Sequence, residues 1–423
     1  MQEIEIDEIA LHFLQTAEKT NKSIFLTGKW WAWKSTLVNY FLSKTKKKVV
    51  LLWTTWIAAI NINGQTIDKF FWFIPKLATC RMKWDNIQIA RWCDIIIIDE
   101  SSMLRSDKFD RLDHQLKFIM NNDLFMWGKQ VIFVWDLYQL PPVEEKDEEL
   151  KKYFEEKYSW VFFFNWNSFL KENFEIIELK KVHRQKDPVF IKMLNRLRIW
   201  DNRQDLLDYF NSRLIEKNQA NPHAILIWMT NAVVDKKNAL ELSKIPTKEH
   251  MSVGYITGDY SDDILAAEKF LKIKKGARVM FTVNDKNNEY VNWTLWFIKE
   301  IIENDSWYPN NIIVETDEWS ELKIYKNQWI NSLWEDEFWE PIIDWTFSQF
   351  PFKLAFAITS HKVQGKSFDN IIVDVWYGCF ASGQLYVAFS RARSYEGIQL
   401  LKPITARDIK VDYNVRKFLK LWA

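Results

Sequence analysis

The sequence predicts an α/β protein: parallel sheets with helices between their strands, and a small all-β module inserted in the second half. Three observations carry this reading. Residues 94–100, DIIIIDE, form a continuous β-branched run ending in two acids, as in strands buried on both faces of a parallel sheet. Apolar runs alternate with helical patterns in both halves of the chain. From about 245 to 340 the character changes to short alternating segments (ARVMFTVND, NNIIVET, ELKIYK) with turn residues between them.

The elements follow in order. Residues 4–20 space their apolar side chains as an amphipathic helix. Residues 24–36, IFLTGKWWAWKST, read as strand, loop, then a helix from Ser35 to about Lys44. KVVLLW at 48–53 is a second buried strand, and TTWIAAI could begin a helix. Residues 68–92 are aromatic-rich and aperiodic, a small excursion from the sheet with a loop near Pro75. A helix at 105–120 leads to the strand KQVIFVWD. Residues 144–158 are a charged helix or linker, FEIIELKKVHRQ returns to strand, and a helix follows at 187–199. HAILIWMT is a strand and AVVDKKNALELS a helix. After the all-β module, helix and buried strand resume at FKLAFAITSHKVQ and NIIVDV. GQLYVAFSRAR is a basic-tipped helix, and GIQLL the last strand.

A chain of 423 residues exceeds what one core usually serves, so two or three domains are expected. Net charge is +1, so any nucleic-acid site is a local basic track rather than a bulk property. Cys80, Cys93 and Cys379 form no ligand pair and suggest a reducing compartment. The acidic start is not a signal peptide, and no apolar run is long enough to span a bilayer.

The 24–36 stretch has the layout of a phosphate-binding loop, G-x-x-x-x-G-K-[ST], with Trp33 where the second glycine belongs. A triphosphate needs inward N–H groups, a helix N-terminus and a lysine point charge. Gly28, Lys34, Ser35 and Thr36 supply part of this, and an ordinary strand-turn-helix with a solvated lysine explains the letters equally well. Asp99 and Glu100 close a strand, where Asp holds Mg²⁺ and Glu orients water; the alternative is a pair of acids capping the next helix. Gln139, in DLYQLPP, senses a γ-phosphate or sits in a proline-stiffened turn. Arg184 and Arg391 suit arginine fingers, although a lone arginine is usually just solvated. Thr359, His361, Lys362, Gln364 and Ser367 cluster around Gly365, as backbone contacts to a nucleic acid or as a plain surface loop.

There are 24 Trp and only 10 Gly. Average usage gives about 30 Gly at this length, so the deficit is close to the whole Trp count. Several Trp stand where turns are expected, among them Trp31, Trp33, Trp135 and Trp293. Many of these Trp therefore occupy positions that a natural chain gives to glycine, and an intact mass decides whether the molecule carries them.

In order, FLTGKWWAWKST, IIIIDESSM, VWDLYQLPPV, VHRQ, AITSHKVQGKSFD and GQLYVAFSRAR resemble the motifs of superfamily-one helicases. The match is best to the RecD-like branch with the Pif family and the phage Dda helicase. It spans nearly the whole chain, and the last two segments are its most specific. The resemblance implies two RecA-like motor domains with ATP and Mg²⁺ between them. The first is 1–180, with a wedge excursion at about 65–95; the second is 181–244 with 341–423, carrying an SH3-like insertion at 245–340. It implies a monomer that moves 5′ to 3′ on single-stranded DNA and opens duplex or G-quadruplex junctions. It further implies no membrane, an intracellular site (cytoplasmic and nucleoid-associated in a bacterium), and roles in DNA repair, recombination and telomere maintenance.

By position, the resemblance gives Gly28, Lys34, Ser35, Thr36 and Gly365 to the nucleotide and Ser35 and Asp99 to the metal. Glu100 activates water, Gln139 couples nucleotide state to motion, and Arg184 and Arg391 are fingers. Thr55, Thr359, His361, Lys362 and Gln364 touch the strand, and Phe70, Phe71 and Phe73 lie near the wedge, where buried core explains each equally well. Trp33, Trp56 and Trp135 replace family glycines, Asp68 stands where His is usual, and Gln15 is the nearest candidate to read adenine. A ring at 33 is expected to force positive φ or fill the phosphate cavity, leaving a helicase fold that binds ATP poorly. Two other readings stand: a non-hydrolysing nucleic-acid binding protein with this fold, and a small-molecule P-loop enzyme, which leaves the β insertion unexplained.

Overall fold

The computed structural model describes residues 6–422 apart from 29–32, 54–64, 68–69, 71–83, 137, 143–147, 159–161, 163, 165–173, 181–186, 222–223, 259–266, 286–288, 291, 293, 305–307, 316–319, 336–340, 361, 365 and 377. The helix expected from TTWIAAI and the loop near Pro75 lie outside the described residues. The chain forms two compact units, Met1–Ala224 with Ser360–Ala423, and Ile225–Thr359.

The first unit begins with α1 (Glu8–Lys19), β1 (Ile24–Gly28), α2 (Lys34–Lys44), β2 (Val49–Trp53), β3 (Gln65–Thr66), α3 (Trp84–Trp92), β4 (Ile95–Asp99), α4 (Ser106–Met120), β5 (Gln130–Trp135), α5 (Glu148–Tyr158) and β6 (Glu175–Leu179). The six strands make one parallel sheet in the order β3-β2-β4-β5-β1-β6. Side chains alternate across a strand, so each strand feeds two cores. Ile24, Leu26, Ile95, Ile97, Ile132 and Val134 pack with Phe13 of α1 and Leu37, Val38 and Phe41 of α2. Phe25, Leu52, Ile96, Ile98 and Phe133 face the other way, against Phe109, Leu112 and Leu116 of α4. Burial on both faces is why the IIIIDE run lacks alternation. Register sets Trp53 beside Asp99 and Thr27 beside Trp135, so β1, β2, β4 and β5 end together.

Next come α6 (Pro188–Arg198) and α7 (Gln204–Asn211). Asp187 caps α6 by accepting from the Val189 and Phe190 N–H groups, with Pro188 opening the helix. At the other end the Asp201 N–H donates to the Arg196 carbonyl and the Trp200 N–H to that of Leu197. This is a Schellman ending, whose left-handed position is normally glycine. Trp200 fills it at φ 67°, and Trp127 also has positive φ, 47°.

The second unit holds β7 (Ile225–Trp228) and α8 (Asn231–Lys244), then β8 (Glu249–Val253), β9 (Tyr255–Gly258), β10 (Phe270–Lys274), β11 (Arg278–Phe281), β12 (Leu295–Glu303), β13 (Pro309–Glu315), β14 (Glu321–Ile324), β15 (Asn327–Glu335), β16 (Pro341–Gln349), β17 (Phe352–Leu354) and β18 (Ala357–Thr359). β7 and β18 pair in parallel. The rest is antiparallel: a sheet β14-β13-β12-β11-β17, a sheet β15-β16-β9, and the pair β10-β8. Leu271, Val279, Phe281, Trp296, Ile312 and Phe352 build its core. The antiparallel strands continue past 340 to Leu354. The helix expected in FKLAFAITSHKVQ is absent among the described residues, because Phe352–Leu354 pairs with β11 and Ala357–Thr359 with β7.

The chain then returns to the first unit with β19 (Ile371–Val373), α9 (Gln384–Phe389), β20 (Ile398–Leu400) and α10 (Tyr413–Trp422). β19 and β20 pair in parallel. Val415 and Phe418 of α10 join the core beneath β1, where Phe418 stacks on Phe164 at 4.4 Å. Among the described residues no helix is long and apolar enough to cross a membrane, and Cys93 and Cys379 are buried free thiols.

A left-handed backbone costs a non-glycine residue about 1–3 kcal/mol. Trp200→Gly is therefore expected to raise unfolding stability by about 1 kcal/mol, after loss of the Arg416 guanidinium over its ring. Urea unfolding midpoints of the two proteins check this; an equal or lower midpoint in the variant counts against it.

Candidate nucleotide and strand site

The aligned ends of β1, β4 and β5 gather the expected chemistry. Lys34 opens α2, is 8% exposed, and donates from Nζ to the Gly28 carbonyl at 2.9 Å. Burial, opposed by Asp136, Glu100 and Asp99, pulls its ammonium below the usual lysine range. The Ser35 hydroxyl donates to Asp99 at 3.3 Å. Burial raises Asp99 against its backbone and Lys34 contacts. A hydroxyl and one carboxylate are hard oxygen donors, the partial set that suits a Mg²⁺ shared with phosphate oxygens. Among the described residues no cluster of three His, Cys, Asp or Glu gathers for a metal.

Glu100 follows at φ 52°, ψ 39°, a left-handed conformation that is uncommon outside glycine. Burial, then the Asp99 charge, pushes its carboxyl up to about 7. Gln364 Nε2, with two hydrogens to give, lies within hydrogen-bond reach of Gln139 Oε1 at 2.9 Å, Glu100 Oε2 at 3.1 Å and the Ser102 hydroxyl at 3.3 Å. Its side chain, expected at the strand, thus faces the Glu100 carboxylate. Gln139 is held by its N–H on the Asp136 carbonyl, and its backbone lies close against Gly383. At Gly383, φ is 75° and an added Cβ lies 2.5 Å from the Tyr138 carbonyl oxygen, so only glycine lets that loop approach.

Asp136 is fully buried and accepts from Arg198 Nε at 3.0 Å and Nη2 at 2.9 Å, and from the Tyr386 hydroxyl at 2.8 Å. Burial opposes its ionisation, but Arg198, Lys34 and Tyr386 outweigh that and hold it below the usual carboxylate range. Sequence reasoning missed Arg198 and Tyr386. A basic residue in the last turn of a helix reads as an ordinary partner of the helix dipole, so Arg198 gave no signal. Tyr386 stands inside the quoted GQLYVAFSRAR segment without a polar neighbour to single it out.

Arg391 lies past the end of α9 and is fully buried. Its Nη1 donates to the Val363 and Lys366 carbonyls at 3.3 and 3.1 Å, and its Nε to the Val387 carbonyl at 2.8 Å. It braces the 363–366 turn, and its charge reaches Glu100. Thr36 is half-buried on α2, and Lys362 is half-buried. Thr359 is 3% exposed at the end of β18. Phe70 is 1% exposed inside the core, so it offers no face for a stacked base; the apolar surroundings that bury it outweigh its expected place at a wedge. Arg184, Thr55, Phe71, Phe73, His361 and Gly365 lie outside the described residues.

Trp33 departs from expectation. Its φ is −62° with ψ 39°, not left-handed, and its ring is 4% exposed in the core with Leu37 and Val38. Trp135 is likewise core, stacked on Phe164 at 5.7 Å. Gln15 is exposed on α1.

Comparison with known proteins gives one answer. A PIF1-like helicase family model matches residues 6–204. The chain is 31% identical to Bacteroides Pif1 bound to ssDNA, covering 99% of this chain and 97% of that one at a TM-score of 0.78. Bacteroides Pif1 helicase in complex with ADP-AlF3 and ssDNA is also 31% identical, with 99% and 98% covered and a TM-score of 0.78. The ATP-dependent DNA helicase Pif1 of Campylobacter jejuni is 29% identical, with 94% of both chains covered. The Emericella nidulans ATP-dependent DNA helicase PIF1 is 27% identical over 97% of this chain, which spans 62% of that protein.

Removing one partner of a buried ion pair strands the other charge and costs about 3–5 kcal/mol. Arg198→Met is expected to lose that much by chemical unfolding. Because Asp136 is depressed in the folded state, its contribution is whole above about pH 4 and lost as pH falls through its folded value. A variant as stable as the parent at neutral pH refutes the pairing.

Proposed function

The chain belongs to the PIF1-like helicase family, and from that membership we propose that it is an ATP-dependent DNA helicase moving 5′ to 3′ on single-stranded DNA. The supporting observation is the convergence of Lys34, Ser35, Asp99, Glu100 and Gln139 at the ends of one parallel sheet, with Arg391 and Gln364 reaching them from the chain's last quarter. Lys34 and the helix start at α2 bind the outer phosphates. Glu100 orients the attacking water and takes its proton as the bond to the γ-phosphorus forms and the bond to the bridging oxygen breaks. Arg391 offsets the charge that develops, and Arg184 is its companion finger. Mg²⁺, held through Ser35 and Asp99, neutralises phosphate charge when bound.

The motor domains in this reading are 1–180 and 181–244 with the chain beyond the β module, which is an SH3-like insertion whose antiparallel strands run past the expected boundary at 340 to Leu354. Thr55, Thr359, His361 and Lys362 lie along the strand, and Phe71 and Phe73 near the fork. The helicase works as a monomer inside the cell on duplex and G-quadruplex junctions. Another similar solved structure, 30% identical, is described as DNA unwinding at forked dsDNA by two coordinating Pif1 helicases, so oligomeric state is measured, not assumed. A binding protein without hydrolysis is the second reading. It draws on Trp33 at the loop's second glycine position and on Lys34 turned to the Gly28 carbonyl.

Phosphate release with and without oligothymidylate decides between them, run beside Trp33→Gly. Stimulated release is expected in both, with kcat/KM for ATP roughly tenfold higher in the glycine form, about 1.4 kcal/mol. No stimulated release in either sinks the motor reading. Equal rates from a parent whose mass confirms Trp33 sink the impairment.

A further inference from the structure

Gln364 sits in the polar 358–369 segment that suggested nucleic-acid contacts, yet its amide points the other way. It has two hydrogens on Nε2, and the acceptors within reach are Gln139 Oε1, Glu100 Oε2 and the Ser102 hydroxyl. Two oxygens, Glu100 Oε2 and Gln139 Oε1, face the same end of the amide, which places Nε2 toward them. At 3.1 Å the bond to Glu100 has ordinary length, and the one to Gln139, at 2.9 Å, is the shorter of the two. The Nε2 of Gln364 is held in this way, while its Oε1 is buried without a hydrogen-bond partner among the described residues. Its turn is clamped on both sides by Arg391, through the Val363 and Lys366 carbonyls. Its second partner, Gln139, rests on a loop that only Gly383 lets close.

We propose that Gln364 is a positioning residue for hydrolysis: it sets the carboxylate of Glu100 and ties it to Gln139, so that the 360–366 turn reports its own position to the water-orienting group. Glu100 needs such a guide because its backbone is left-handed and its carboxylate projects from a single strained residue. The turn that carries Gln364 also carries Lys362, so a strand that shifts the turn also shifts Glu100. This inference rests on the helicase reading.

The test measures oligothymidylate-stimulated phosphate release in the parent, in its Trp33→Gly form, and in each with Gln364→Leu or Gln364→Met. Both substitutions remove the donor without adding charge; the second keeps the length of the side chain, so a folding defect in the first does not decide the outcome. Expected are a fall in kcat of tenfold or more, an ATP KM within twofold, and an oligothymidylate Kd, by fluorescence anisotropy, within twofold. Adding Gln139→Leu to Gln364→Leu is expected to cost no more than the worse single change, since the two act as one unit. An unchanged kcat overturns the proposal. So does a fivefold or greater loss of oligothymidylate affinity, which makes Gln364 a strand contact. Parents without stimulated hydrolysis overturn the helicase reading and this inference together; active parents with unaffected Gln364 variants overturn this inference alone.

Discussion

Charges taken out of water must be held by other charges, and that constraint organises the first unit. Lys34, Asp99, Asp136, Arg198 and Arg391 are each 8% exposed or less, and Glu100 lies beside them. An isolated buried ion is too costly to keep, so these groups survive only as a mutually satisfied set. Three cations face three carboxylates. The sheet makes the set possible, because parallel strands in register end at one level and deliver Gly28, Asp99 and Asp136 side by side. The rest of the site is fastened to this frame: Gln139 through Asp136, Gln364 through Glu100, and α6 through Arg198.

What the sequence made legible follows from how local each signal is. A β-branched run bounded by acids depends on neighbours in sequence, so β4 and its two terminal carboxylates could be read directly. The Lys34 and Gly28 spacing is equally local. Arg198 and Tyr386 could not be read, since their common partner lies 62 and 250 residues away and only the fold brings them to it. Gln364 was expected at the strand, whereas its side chain bonds Glu100, Gln139 and Ser102. A polar turn between apolar runs says that a glutamine matters, while its partners at Glu100 and Gln139 are settled by the clamp of Arg391. The helix expected near 352–364 failed for a related reason. Apolar letters there serve strand pairing with β11 and β7, and tertiary pairing outweighed local pattern.

The tryptophans separate into kinds once backbone angles are known. At Trp200 the hydrogen bonds of a Schellman ending surround a left-handed residue, a place where a side chain brings strain and no compensating contact deeper than a half-exposed ring. That geometry calls for glycine whatever letter is written. Trp33 and Trp135 differ: both rings are absorbed into cores on opposite faces of the same sheet. For Trp33 the absorption explains why positive φ does not arise, because the ring leaves the loop and packs beside Leu37 and Val38. The loop still lacks the glycine that lets backbone N–H groups wrap an anion.

The last sixty residues are tied to the first sheet by two unlike means. Apolar packing holds α10, with Phe418 stacked on Phe164 and edge-on to Phe25 at 6.2 Å. Polar bonds hold the other end, at Gln364 and Tyr386. Apolar contacts resist separation over a broad surface, whereas a few hydrogen bonds exchange readily with a ligand that offers better partners. A nucleotide entering beside Glu100 and Gln139 competes for the polar end alone. In the helicase reading, a nucleotide beside Glu100 and Gln139 therefore bears on the polar bonds of Gln364, while the packing of Phe418 lies apart from them.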